Sequence, residues 1–85
     1  KGEAAKAIRE GVTKRDGALP VNTSGGLKCK GHPVGATGVA QVVEVFKQMR
    51  GIAERNRQLK FDVERAMTHN LGGSGATCVV HIFEK

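Results

Sequence analysis

Apolar residues recur along this chain in two rhythms, and the change of rhythm marks out its elements. Residues 3–14 place Ala4, Ala5, Ile8 and Val12 on one helical stripe, with Asp16-Gly17 punctuating the end. Residues 19–23 (LPVNT) predict a short extended piece. From Val34 to Met49 the apolar positions Val34, Ala36, Val39, Ala40, Val42, Val43, Val45, Phe46 and Met49 wrap much of a helix, and Gly51 sits where a C-cap glycine belongs. A helix apolar on so many sides is expected to be buried. The small residues of its first turns, Gly35, Ala36, Gly38 and Ala40, suit close packing on another helix. Residues 52–62 read as a polar connection, and residues 64–69 predict a strand. Residues 70–75 (NLGGSG) predict a sharp glycine turn. Residues 76–83 then alternate, with Cys78, Val80 and Ile82 on one face and Val79, His81 and Phe83 on the other.

The order helix, strand, helix, strand, strand makes an α/β layer. A chain of 85 residues can form one small domain, but it buries only about 60% of its unfolded surface. One heavily apolar helix and a sheet therefore need a second half to cover them. The chain begins at Lys1 rather than Met, and the expectation is a piece of something longer. The two glycine-rich stretches are expected at the same end of the sheet.

Charge changes this picture little. The formal net charge of +6 suits phosphate-bearing partners such as nucleic acid, anionic lipid or coenzyme A. The basic residues are scattered, however, which is the pattern of a solvated surface. Three Phe with no Trp or Tyr argue against a nucleic-acid module built on stacked aromatics. No apolar run approaches the ~20 residues of a membrane-spanning helix.

The richest stretch for chemistry is NTSGGLKCKGHPVGATG, residues 22–38. It reads as strand, tight loop, then helix, with His32 held at the junction by Pro33. An imidazole there can accept a proton from a nucleophile or donate to a developing oxyanion. The residues alone leave open whether His32 does this or only caps its helix. In NLGGSG, successive backbone N–H groups can converge on one oxygen as an oxyanion hole, or simply turn the chain.

Other motifs fail. Cys29 and Cys78 each precede a histidine by three residues, which invites a zinc reading. Cys78 and His81 lie in a predicted strand, though, where positions three apart face opposite ways. Gly26 to Gly31 has the spacing of a phosphate-binding loop, but His32-Pro33 stand where Lys and Ser/Thr are required. Gly73-Ser74-Gly75 opens like a dinucleotide fingerprint, yet lacks the third glycine and a following helix. Lys28 and Lys30 flank Cys29 and favour a thiolate, making a Cys29–His32 nucleophile pair conceivable, although a loop position asks only for a small residue. Cys78 reads as a core residue.

Together, NTSGGLKCKGHPVGATG and HNLGGSGATCVVHIF resemble the C-terminal end of a thiolase. They are most similar to the sterol-carrier-protein-type and archaeal-type members, in which GG is followed several residues later by GHP-x-GATG. The resemblance runs from about Gly2 to Phe83 and covers only the last quarter or so of such an enzyme. It implies an acyl-CoA acyltransferase that makes or breaks a carbon–carbon bond between acyl-CoA units through an acyl-cysteine. That nucleophile belongs to the N-terminal half, so this segment is not expected to be active alone.

The family's GHP histidine falls on His32, with the implied roles of activating the nucleophile and stabilising the enolate oxygen. Its last motif, Cys-x-Gly, places Asn70 at the cysteine and Gly72 at the glycine whose N–H helps hold the acyl oxyanion. Asparagine cannot shuttle a proton, and in the sterol-carrier-type branch that proton is implied to come from a cysteine upstream. A shift of one residue would put His69 there instead; the register with Asn70 and Gly72 is preferred. Cys29 falls at a variable position of the motif. The resemblance further implies a homo-oligomer, a cytoplasmic location, no bound cofactor, no metal, and a coenzyme A thioester as substrate. A small zinc-ribbon/OB-fold protein is an implied partner of the archaeal-type relatives. The alternative is a thiolase-derived binding or scaffold module without catalysis; a basic nucleic-acid binder would rest on charge alone.

Overall fold

A computed structural model describes residues Lys1–Lys85. Three helices precede a β-hairpin: α1 (Ala4–Arg9), α2 (Gly26–Lys30), α3 (Thr37–Arg50), β1 (Arg65–Gly72) and β2 (Thr77–Glu84), with a 3₁₀ turn at Gly73–Gly75. The chain is thus the α/β type expected, with differences in where its elements start and stop.

α1 is half the predicted length because Gly11 ends it. Gly11 adopts a left-handed conformation (φ 78°). The Val12 N–H then bonds the Ala7 carbonyl at 3.0 Å and the Gly11 N–H bonds Ile8 at 3.1 Å. This pair of bonds satisfies carbonyls that a helix end leaves open. The same pattern closes α3 at Gly51, where the sequence placed it, through Ile52 N–H to Lys47 and Gly51 N–H to Gln48.

Residues 19–23 form no strand. Their backbone bonds run from Leu19 to Val12 and from Val21 to Thr13, folding the segment back on the turn after α1. Two such bonds do not make a ladder, and β1 pairs only with β2. Immediately after, α2 occupies a stretch expected as loop. It is a single short helix set between the positive-φ glycines Gly25 and Gly31, too brief to show a periodicity.

The hairpin is antiparallel and in register from Arg65↔Glu84 to Gly72↔Thr77. β1 therefore runs three residues beyond its predicted end, and the turn contracts to Gly73-Ser74-Gly75. α3 packs on the hairpin face that carries Thr68 and Asn70. Four residues of the chain are buried, and Val63 is the one apolar residue among them.

Burial on α3 is the reverse of expectation. Its buried residues are Thr37 and Gln48, while Val39 is 66% and Phe46 52% exposed. Thr37, Gln41, Glu44 and Gln48 follow helical spacing and form one polar stripe. That stripe faces the rest of the chain. Gln48 Oε1 accepts from the Leu59 N–H and Gln58 Nε2, and its Nε2 donates to the Arg57 carbonyl at 2.9 Å. Glu44 receives both Arg57 Nε contacts at 2.9 Å. The polar connection 52–62 is thereby tied to α3, and the apolar side of the helix points away from its own chain.

Candidate functional site

His32 sits on a turn built by Pro33. The Pro33 carbonyl accepts the backbone N–H of Ala36 at 2.8 Å and of Thr37 at 3.1 Å, which carries the chain into α3. Proline thus precedes the first helical residue instead of occupying it. The His32 ring is exposed, and its Nδ1 lies 2.6 Å from the Thr37 hydroxyl. Thr37 Oγ1 donates in turn to the Pro33 carbonyl at 3.2 Å. The ring is tied on one side, leaving Nε2 without a protein partner.

One helical position further along, Gly38 meets the hairpin. A Cβ on Gly38 would stand 3.0 Å from Asn70 Nδ2, so the missing side chain lets α3 approach β1 closely. The close packing expected of these small residues is therefore against a strand and not a second helix. Gln41 completes the join: its Nε2 donates to the His69 carbonyl at 3.1 Å and its Oε1 accepts from Asn70 Nδ2 at 3.3 Å. The GHP turn and the end of β1 consequently lie at one end of the structure, as the sequence suggested.

Asn70 and Gly72 are strand residues, two apart and on the same face. Asn70 is half-buried against α3, whereas Gly72 is exposed. Gly72 has extended angles (φ −122°, ψ 152°) open to any residue. A Cβ there would meet only the Thr77 Cβ at 3.9 Å, an ordinary contact. Nothing in this chain's own packing demands glycine at 72.

His69 faces the other way. Its Nε2 is 3.2 Å from Cys78 Sγ across the hairpin, on the face opposite Asn70. Cys78 is exposed and not a core residue, because no element of this chain covers that face. His81 pairs with Thr68 in register and lies on the α3 side, so Cys78 and His81 do point apart. No group of three or more His, Cys, Asp or Glu side chains converges. Cys29 is exposed on α2 and packs beside Gly25; it makes no contact with His32 among the hydrogen bonds of the site.

Sequence reading missed Thr37 and Gln41. The signal was present: both belong to the polar stripe interrupting an otherwise apolar helix. Alongside them, Ala36, Val39, Ala40 and Val43 line a groove of about 520 Å³ with Lys30 and Lys47. No helix is long and apolar enough to cross a membrane.

Residues 1–85 match the family model described as thiolase C-terminal domain-like. The chain is 54% identical over its whole length to an acetyl-CoA acetyltransferase of Methanothermobacter thermautotrophicus, of which it covers 22%. It is 41% identical, over 96% of its length, to the corresponding enzyme of Methanocaldococcus jannaschii, again covering 22%. Sterol carrier protein 2 of Gallus gallus is 46% identical over 92% of the chain, which spans 14% of that protein. The chain thus spans about a fifth or less of the relatives it matches. On these matches and on its α/β fold, the chain belongs to the thiolase C-terminal domain-like family.

Proposed function

We propose that the chain is the C-terminal part of a thiolase-type acyl-CoA acyltransferase, which makes or cleaves a carbon–carbon bond between acyl-CoA units. One observation carries the reading: α3 and β1 are joined at Gly38, Gln41 and Asn70, which brings the GHP turn and the Asn70–Gly72 strand end together. In the cleavage direction, a cysteine outside this chain attacks the 3-oxo carbonyl, with His32 holding the proton relation that makes it a thiolate. The carbon–carbon bond breaks, and the departing acetyl-CoA enolate, stabilised at its oxygen by His32, takes a proton from a second cysteine outside this chain. The thiol of coenzyme A then accepts the acyl group and frees the nucleophile. The Gly72 N–H helps hold the oxyanion of the acyl group. Asn70 transfers no proton; its amide, held by Gln41, shapes that end of the site. The orientation of His69 away from α3 supports the register with Asn70 over His69.

The exposed apolar side of α3 is covered, in this reading, by the remainder of the acyltransferase chain. A homo-oligomer and a small zinc-ribbon/OB-fold partner are proposed with it, and both are read by light scattering of the purified assembly. The two free thiols suit a reducing compartment such as the cytoplasm.

Thiolysis of acetoacetyl-CoA by coenzyme A tests the reading in the complete protein that carries this chain. We expect turnover in the wild type and a loss of about 10²–10⁴ in His32→Ala, with the circular dichroism spectrum retained. Asn70 favours one competing reading, a non-catalytic binding module, since the residue cannot shuttle a proton. That module would show no thiolysis in the wild type.

A further inference from the structure

The Thr37 hydroxyl has one hydrogen and two neighbours that could receive it. It lies 3.2 Å from the Pro33 carbonyl and 2.6 Å from His32 Nδ1. A carbonyl oxygen only accepts, so this contact is favourable only if Thr37 donates to Pro33. Were the hydrogen turned towards the imidazole, hydroxyl and carbonyl lone pairs would face each other in a site from which Thr37 is almost fully withdrawn from water. Thr37 is 6% exposed. With its hydrogen given to Pro33, the hydroxyl has only lone pairs for the ring, and Nδ1 must carry the proton.

We infer that Thr37 is a positioning residue that locks His32 in the Nδ1–H tautomer and leaves Nε2 as the nitrogen that accepts a proton. The inference rests on the catalytic reading of His32 for its consequence, but the tautomer itself is independent of any activity. Three features make the lock rigid. The Pro33 carbonyl is already fixed by the N–H groups of Ala36 and Thr37. Thr37 is the first residue of α3, so its backbone is held by the helix. A β-branched side chain has few rotamers to lose. Orientation of a histidine by the partner of its second nitrogen is a general device.

Nitrogen-15 NMR of histidine-labelled protein, at a pH where imidazoles are neutral, reads the tautomer directly. The His32 signals are assigned by their disappearance in His32→Ala. We expect a pyrrole-type Nδ1 and a pyridine-type Nε2 in the wild type. Thr37→Val keeps the shape and leaves the Pro33 carbonyl its two backbone bonds; it should shift His32 towards the Nε2–H form. Its kcat for thiolysis should fall by about 10–100-fold, as for other lost partners of functional histidines, with KM little changed. Thr37→Ser should restore both the spectrum and kcat. A pyridine-type Nδ1 in the wild type, or a Thr37→Val spectrum unchanged from it, overturns the inference. If the tautomer is as inferred while His32→Ala keeps full turnover, the lock stands and the catalytic reading of His32 fails.

Discussion

Gly38 on α3 and Asn70 on β1 meet with no side chain between them, since a Cβ on the glycine would reach to 3.0 Å of the asparagine amide nitrogen. This contact joins the two motifs that are far apart in sequence. In Gly38→Ala the amide must move by a few tenths of an ångström. Alanine also favours a helical conformation over glycine, by at most about 1 kcal/mol and less in the first turn where Gly38 lies. The two effects oppose, so we expect stability within about 1 kcal/mol of wild type, a displaced Asn70 side-chain NH₂ signal, and reduced thiolysis. Loss of stability without movement of that signal would contradict the contact.

Gln48 should behave as a structural hub. It is buried, and its carboxamide serves the backbone of Arg57 and Leu59 as well as the Gln58 side chain. Gln48→Leu keeps the volume but strands those groups, at a cost of about 1–3 kcal/mol. The denaturation midpoint and faster amide exchange in residues 53–59 measure it, while His32 and its turn should be unaffected.

The connection 52–62 should loosen in acid. Glu54 contacts Arg57 and lies 3.8 Å from Lys47. Its own backbone N–H hydrogen bond chiefly holds its carboxyl below the usual value of 4.5; desolvation opposes this, and the Arg57 and Lys47 charges reinforce it. Because the folded value is the lower one, the folded state binds the proton less well. The contribution is full above the ordinary carboxylate value and disappears as pH falls through the lowered one. Arg57, raised above its ordinary value first by its hydrogen bond to Glu44, stays charged throughout. Following the Arg57 Nη1–H signal, which faces Glu54, with pH should show an acid step that is absent in Glu54→Gln. Solvent exposure of Glu54 keeps the effect small and salt-dependent.

The outward apolar face should be detectable. Val39, Val43 and Phe46 on α3, and Met67, Leu71 and Ile82 on the outer face of the hairpin, are all exposed. The 85-residue chain by itself should bind a hydrophobic dye and unfold over a broad range. A sharp, dye-free transition would mean that these faces are covered within the chain.

How much of this was legible beforehand depends on whether a signal was local. Gly51 as a helix end, two strands joined by a glycine turn, and the antiphase of Cys78 and His81 were all readable, because each follows from neighbouring residues. The early stop of α1 was also written locally, in Gly11, but the continuing stripe through Val12 masked it. α3 misled for a different reason. Hydrophobic patterning says which face avoids water, not which neighbour covers it. Here the chain's own contacts fall on Thr37, Gln41, Glu44 and Gln48. The one-turn α2 gave no period to detect, and the Thr37 contact with His32 depends on the geometry of a proline turn.

The most direct measurement is a structure of the complete protein that carries this chain, with an unreactive acyl-CoA analogue bound. With the proton taken from the nucleophile on His32 Nε2, the thioester oxygen should lie about 3 Å from that nitrogen, with the acyl end beside Asn70 and Gly72. A thioester bound away from both motifs would contradict the shared site, and with it the proposal that these two ends of the fold act together.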